Sequence, residues 1–167
     1  MVHRRLTFFV VLVVALLIQL TVSPEIGIGA VKPDILLVAT ICWALFEGPG
    51  QGALFGFCAG LLEDIFSTAV VGVSAFAKII VGYFSGELRQ RVISKSVIWP
   101  MIIVFFGSIL QELMKFATWA LVGLEPRPPF SFGVIAGLAL YNALITLVIY
   151  PVIRHFTGQE DRALMFP

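Results

Sequence analysis

The sequence predicts an all-α protein that crosses a membrane several times, and its composition is the first reason. Of its 167 residues, 59% are hydrophobic and only 13% are charged, whereas soluble domains carry about 25% charged residues. The mean hydropathy of +1.02 agrees with a membrane protein. Such a chain lacks the polar surface of a soluble enzyme, and its net charge of +1 gives no reason to expect a nucleic-acid partner.

Six apolar segments follow one another along the chain, and each is a candidate transmembrane helix. A spanning helix uses about 20 residues, so six of them with short loops account for a single transmembrane domain over residues 1–167. No length remains for a soluble catalytic domain. The predicted spans are about 6–22, 34–47, 52–67, 70–85, 97–122 and 132–153.

The second and third segments are shorter than a bilayer normally requires, so two interpretations stay open for them. They either cross as tilted or locally thinned spans, or they form one re-entrant hairpin that never crosses. The first segment is longer than the apolar part of a usual signal peptide, which has roughly 7–15 residues. We therefore expect it to remain as an uncleaved helix.

The basic residues predict the orientation. With a cytoplasmic N-terminus, cytoplasmic segments hold seven of the 11 Lys and Arg residues, outer loops hold two, and two lie within helices. An excess of Lys and Arg marks cytoplasmic loops, so both termini are predicted to be cytoplasmic in either interpretation. The seven are Arg4, Arg5, Arg89, Arg91, Lys95, Arg154 and Arg162, and the two outer ones are Lys32 and Arg127.

Five ionisable residues at membrane depth form the main candidate site. They are Glu63, Asp64, Lys78, Glu112 and Lys115. Each costs at least ~2.5–3.5 kcal/mol near the bilayer centre unless it is paired or solvated, so all should face protein or water. We expect a loose polar cluster in the outer half of the bundle, in which Glu112 and Lys115, spaced i, i+3, pair directly.

Three roles stay open for this cluster. Internal pairs, such as Lys78 with Asp64, would fix the register of the helices, while Glu63 and Lys115 would reach the outer interface. The formal charge of −1 also allows a protonated carboxyl or a bound cation, as in a proton or ion relay. Recognition of a partner protein is the third role.

Small residues recur at every fourth position on two neighbouring helices. One stripe is Gly52, Gly56, Gly60 and Asp64, and the other is Lys78, Gly82 and Gly86. Small residues at this spacing let helix backbones approach closely in lipid. The stripes therefore predict helix packing, either between these two helices or with the membrane helix of another protein.

The remaining polar and aromatic residues give weaker signals. Asn142 is predicted to bond a neighbouring helix, and Trp43, Trp99 and Trp119 lie near predicted helix ends, as interfacial anchors do. Cys and His residues show no metal-ligand spacing, and no Ser/His/Asp arrangement lies on one side of the membrane. We therefore expect no metal, no cofactor and no catalytic residue.

Two stretches resemble the MreD family of rod shape-determining membrane proteins. Residues 32–37 (KPDILL) are similar to the proline-led start of the family's second helix. Residues 56–67 (GFCAGLLEDIFS), followed by Gly72 and Gly82-Tyr83, resemble the family's G-x-x-x-G-L-x-x-D motif and the glycine-opened helix after it. The junction Thr68-Ala69 matches loosely, because the family usually has a glycine or small residue there.

This resemblance implies a non-enzymatic scaffold of the inner membrane. MreD proteins are partners of MreC, in the complex that couples MreB filaments to peptidoglycan synthesis by RodA and its transpeptidase. Their fold is similar to the vitamin-binding subunits of energy-coupling-factor transporters, with six helices around a cavity that the polar cluster would line. Such a subunit is the alternative function, but its docking helix is rich in small residues, and residues 6–22 contain one alanine and no glycine.

Overall fold

The computed structural model describes residues 2–28, 31–66, 71–91, 96–123 and 131–157. Regular structure in these ranges is helical apart from one isolated bridge between Ile28 and Val31, so the all-α prediction is confirmed. The helices are α1 (Val2–Thr21), α2 (Ile35–Glu47), α3 (Pro49–Phe66), α4 (Val73–Glu87), α5 (Ile98–Val122) and α6 (Phe132–Phe156), with a 3-10 turn at Leu88–Arg91 after α4.

Three of the described helices are long and apolar enough to cross a membrane. They are Arg4–Thr21, Ile98–Leu121 and Phe132–Phe156, and only 22% of each apolar window is buried inside the protein. Their outer faces therefore present large apolar side chains, which is typical of surfaces that meet lipid or another protein. The count of six spans stays a prediction.

Helix α2 forms the centre of the molecule. It is apolar on all sides, every residue from Ile35 to Phe46 is buried, and it contacts each of the other five helices. A helix that is hydrophobic all round must be covered by protein or lipid. The cover is provided by the other five helices. In addition, α4, α5 and α6 each contact the helix that precedes them in the chain.

The position of Trp43 corrects one prediction. It is not an interfacial anchor, because it lies in the core with 1% of its surface exposed. Its ring stacks on Phe55 of α3 at 5.5 Å and meets the edge of Phe8 of α1 at 5.6 Å. The nearness of Trp43 to the end of α2 suggested a membrane surface, but Phe8 of α1 and Phe55 of α3 cover its ring.

The helices run between two ends of the bundle, which we name the Asp34 end and the Glu47 end after the residues at the two ends of α2. Arg4, near the start of α1, pairs with Glu47, whereas Gln19, near the end of α1, accepts a hydrogen bond from Ile35 N at 2.7 Å. Helices α1 and α2 are therefore antiparallel and share most of their length.

The other helices alternate in the same way. In α6, Asn142 lies at the Asp34 end, and Tyr150 stacks on Phe46 near the Glu47 end. In α3, Gly52 packs beside Ala44, and the later residue Glu63 reaches the Asp34 end. Consecutive helices thus run in opposite directions.

The basic side chains that the structure describes divide between the two ends. At the Glu47 end, the ends of the helices carry or adjoin four basic residues: Arg4, Arg5, Arg89 and Arg154. Lys32 lies two residues before Asp34, at the other end. Lys95, Arg127 and Arg162, which also entered the orientation prediction, lie outside the described residues.

Candidate functional site

A fully buried lysine organises the Asp34 end of the bundle. Lys78 of α4 has no exposed surface, and its Nζ donates to Asp34 Oδ2 at 2.7 Å, to Gln111 Oε1 at 3.0 Å and to Glu63 Oε2. An ammonium group has three N–H donors, so all three are satisfied. These partners belong to α3, α5 and the residue before α2, which means that one side chain ties four parts of the chain together.

Asp34 has two functions at once. Its Oδ1 accepts a hydrogen bond from Leu37 N at 2.8 Å, which caps the N-terminus of α2, and Asp is among the preferred residues for such a cap. Its Oδ2 accepts from Lys78 and, at 2.7 Å, from Gln111 Nε2. The start of the central helix is therefore fixed to α4 and α5 by the same carboxylate.

The network continues to a partly exposed edge. The Oε1 of Glu63 accepts from Lys115 Nζ at 3.1 Å, and Lys115 Nζ lies 3.7 Å from Glu112, which confirms the predicted i, i+3 pair. The side chains of Glu63, Lys115 and Glu112 are 19%, 19% and 27% exposed. We call Asp34, Glu63, Lys78, Gln111, Glu112 and Lys115 the ionic network, and its three acids and two lysines give a formal charge of −1.

Helix α6 joins the same end through Asn142. Its Oδ1 accepts from Asp34 N at 2.9 Å, and its Nδ2 donates to Ser108 Oγ of α5 at 3.0 Å. The prediction that Asn142 bonds a neighbouring helix is thus confirmed. A buried amide left without partners is costly, so these two bonds fix α6 against α2 and α5.

The structure differs from the predicted cluster in its membership and its compactness. Sequence reasoning missed Asp34 and Gln111, and from Asp34 to Lys115 the cluster is a continuous chain of hydrogen bonds rather than a loose group. A signal for Gln111 existed, because polar residues at 108, 111, 112 and 115 follow the i, i+3, i+4, i+7 spacing of one face of α5. The ionisable residues alone do not reveal this stripe, because two of its four members are uncharged.

Asp64 lies beside the network in a different role. Its carboxylate accepts hydrogen bonds from Gly72 N at 2.7 Å, Ser74 N at 3.1 Å and Ala75 N at 3.3 Å. These N–H groups open α4, and helix starts leave such groups without intrahelical acceptors. The pair of Lys78 with Asp64 suggested for register is not among the ion pairs of the described residues, because Lys78 pairs with Asp34 and Glu63 while Asp64 caps α4.

The two glycine stripes pack α3 against α4. A Cβ at Gly56 or Gly60 would come within 3.0 Å of the α4 backbone at Lys78 or Ala75, and one at Gly82 would meet the backbone of Gly52. At the Glu47 end, a Cβ on Gly86 would meet the backbone of Pro49. The stripes therefore face each other inside the chain, and the glycines that were candidates for partner contact are covered by a helix of the same molecule.

The connection between α3 and α4 needs a glycine of a different kind. Gly72 has a φ of +105°, a conformation that residues with a Cβ rarely adopt. It precedes α4 and donates its N–H to Asp64. Ser67 and the junction Thr68-Ala69 lie outside the described residues.

The contacts of the site are those of a structural site that joins helices. The buried charges of Lys78 and Asp34 are paired with each other. Both groups also form hydrogen bonds with Gln111, and Asp34 accepts one from Leu37 N. Within the described ranges, no group of three or more His, Cys, Asp or Glu side chains is placed to hold a metal ion. What the arrangement does is hold the ends of α2, α3 and α4 and the middle of α5 in one register.

Comparison with protein families decides the identity of this bundle. The family model described as rod shape-determining protein MreD matches residues 2–159, almost the whole chain. The chain belongs to the MreD family. Membership makes it a membrane protein with a role in rod-shape determination, and the resemblance drawn from the sequence is confirmed.

The structure explains the motif that suggested the MreD family. Gly56 and Gly60 allow the close approach of α3 to α4, Asp64 caps α4, and Gly72 supplies the turn before it. The motif is therefore the sequence of one tightly packed helical hairpin. No curated protein and no solved structure gives a significant match to the chain.

Proposed function

We propose that this chain is a non-enzymatic scaffold of the cell-elongation complex, which binds MreC and thereby supports peptidoglycan synthesis. MreB filaments, RodA and its partner transpeptidase would be reached indirectly, through that complex. The family match over residues 2–159 carries the proposal. No cofactor is part of it.

We further propose that all six helices cross the inner membrane and that both termini are cytoplasmic. The antiparallel course of α1 and α2 supports six crossings over a re-entrant hairpin, because α2 runs beside a helix that is long enough to span. At about 1.5 Å per residue, the 13 residues of α2 extend roughly 20 Å. Protein rather than lipid surrounds α2, so it does not need the usual apolar length.

The contacts support a scaffold in a second way. The charged groups at the Asp34 end pair with one another across α2, α3, α4 and α5, which makes the bundle one unit. Only 22% of each apolar window of α1, α5 and α6 is buried inside the protein, so these helices present apolar outer faces. A rigid body with apolar faces is suited to hold a partner's membrane helix.

Co-purification tests the proposal. The tagged chain is extracted from its own cell membranes in mild detergent, and the retained proteins are identified and quantified by mass spectrometry. A tagged multi-pass protein of unrelated function serves as the control. The proposal requires MreC to be enriched with the chain, whereas an ATPase module in place of MreC would favour the vitamin-transporter subunit, and neither would reject both.

A further inference from the structure

Glu112 differs from the other two acids of the ionic network in having no hydrogen-bond donor. Asp34 accepts three hydrogen bonds and Glu63 accepts three, from the lysines and from neighbouring N–H, amide or hydroxyl groups. Among the described residues, none donates a hydrogen bond to Glu112, and its ionic contact is Lys115 at 3.7 Å. Lys115 Nζ is shared between Glu63, to which it donates at 3.1 Å, and Glu112 at 3.7 Å, so Glu112 is the least compensated acid of a network with a formal charge of −1.

Glu112 lies at the border between the polar stripe of α5, at positions 108, 111, 112 and 115, and the exposed apolar side of the same helix. It lies fourteen residues after Ile98 on the 25-residue helix α5, well away from both helix ends. Leu113 and Phe116 beside it are exposed, and Phe106 is exposed two turns before Leu113. An ionised carboxylate at such a depth is unfavourable unless a cationic or hydrogen-bonding group meets it.

Phe106, Leu113 and Phe116 are spaced as one side of a helix and form an apolar stripe beside Glu112. We call these three residues with Glu112 the α5 face. Its apolar part suits packing against another helix, and its one carboxylate suits a positive charge opposite it. A helix with a positive side chain opposite Glu112 therefore suits this face better than lipid chains, which carry no charge.

We infer that the α5 face docks a membrane helix of a partner protein, and that this helix carries one Lys or Arg side chain opposite Glu112. The inference deepens the proposed function and rests on it, because it assigns the contact surface for the proposed partner MreC. It moves the partner contact away from the glycine stripes, which the chain itself covers.

The first test removes the charge alone. Glu112→Gln keeps the shape of the side chain and leaves the Lys115–Glu63 bond in place. We expect it to lower the MreC retained in mild detergent by roughly tenfold, as the loss of one close charge pair does at other interfaces. The matched control is Glu87→Gln, an exposed acid at the Glu47 end of α4, which should retain MreC at the wild-type level.

The second test locates the partner without disturbing Glu112. A photo-crosslinking amino acid is placed at Leu113 on α5 or, as a control, at Leu144, which is exposed on α6. We expect MreC crosslinks from position 113 and far fewer from position 144. Crosslinks from 113 only to lipid or to a second copy of this chain would overturn the inference.

The two proposals fail in different ways. If the wild-type chain retains MreC and Glu112→Gln retains as much, the α5 face is not the contact and the proposed function stands. If the wild-type chain retains no MreC, the proposed function itself fails. The thermal unfolding midpoint of Glu112→Gln in detergent, measured beside the wild type, shows whether a loss of binding comes from loss of folding.

Discussion

Gly56→Ala tests the contact that joins the glycine stripe to the ionic network. A Cβ at Gly56 would lie 2.6 Å from the carbonyl carbon of Lys78 and closer still to its oxygen. Ordinary contact begins at 3.4 Å, so α3 and α4 must separate by more than 0.8 Å at this point, because the oxygen lies closer than the carbon. Overpacking of this kind typically costs about 1–3 kcal/mol.

The same shift should reach the network, because Lys78 is the residue that moves. Its hydrogen bonds to Asp34 at 2.7 Å and Gln111 at 3.0 Å have little room to lengthen, since normal bonds of this type lie within about 2.7–3.2 Å. We therefore expect the loss of stability in Gly56→Ala to fall in the upper part of that 1–3 kcal/mol range.

Gly50→Ala is the matched control on the same helix. A Cβ at Gly50 meets nothing within 4 Å, and alanine favours a helix over glycine by up to about 1 kcal/mol. The assay is the free energy of unfolding in mixed micelles, titrated with a denaturing detergent. Gly56→Ala should be less stable than the wild type and Gly50→Ala equally or more stable. Equal stability of the two variants would refute the close packing of α3 on α4.

Three further predictions concern the network, the cap and the topology. Lys78→Met should lower the free energy of unfolding by about 3–5 kcal/mol, because it leaves two carboxylates without their buried partner, and adding Asp34→Asn should recover part of that loss; an additive double variant would contradict the pairing. Asp64→Ala should cost about 1–2 kcal/mol by exposing the first N–H groups of α4, with Asp64→Asn in between; an unchanged unfolding curve would argue against the cap. In an otherwise cysteine-free chain, Lys32→Cys should react with an impermeant maleimide in intact cells whose outer membrane is permeabilised, and Glu87→Cys only after lysis; the reverse pattern would invert the orientation.

The fold class was predictable from composition, but the central position of α2 was not. Apolar content and the spacing of six segments were enough to predict helices in the right places. The same data made α2 look like a short, incomplete span. Its burial depends on five helices closing around it, and Trp43 was misplaced for that reason.

The candidate site was predictable in part. Lys78 and Glu63 stood out because charges are expensive at membrane depth. Asp34 did not, since a Lys-Pro-Asp sequence before a helix already has an explanation as a turn and cap. Its bond to Lys78 joins residues 44 positions apart and its bond to Gln111 joins residues 77 positions apart, and only the tertiary fold brings them together.

The glycine stripes show a different limit of sequence reasoning. Their spacing correctly indicated close helix packing, but spacing cannot tell whether the second helix belongs to the same molecule. The structure answers this, because the Gly56 and Gly60 positions abut the α4 backbone. The glycine stripes are therefore not free for the proposed partner, which would need another surface such as α5.

Cell shape provides the final test of the proposed role. The chain is depleted in the cell that encodes it, and the ratio of cell length to width is measured by microscopy, with and without a plasmid copy of the wild-type chain. We predict that depleted cells lose their rod shape and become round, and that the wild-type copy restores the ratio. Depleted cells that keep a normal length-to-width ratio through several divisions would contradict a role in elongation.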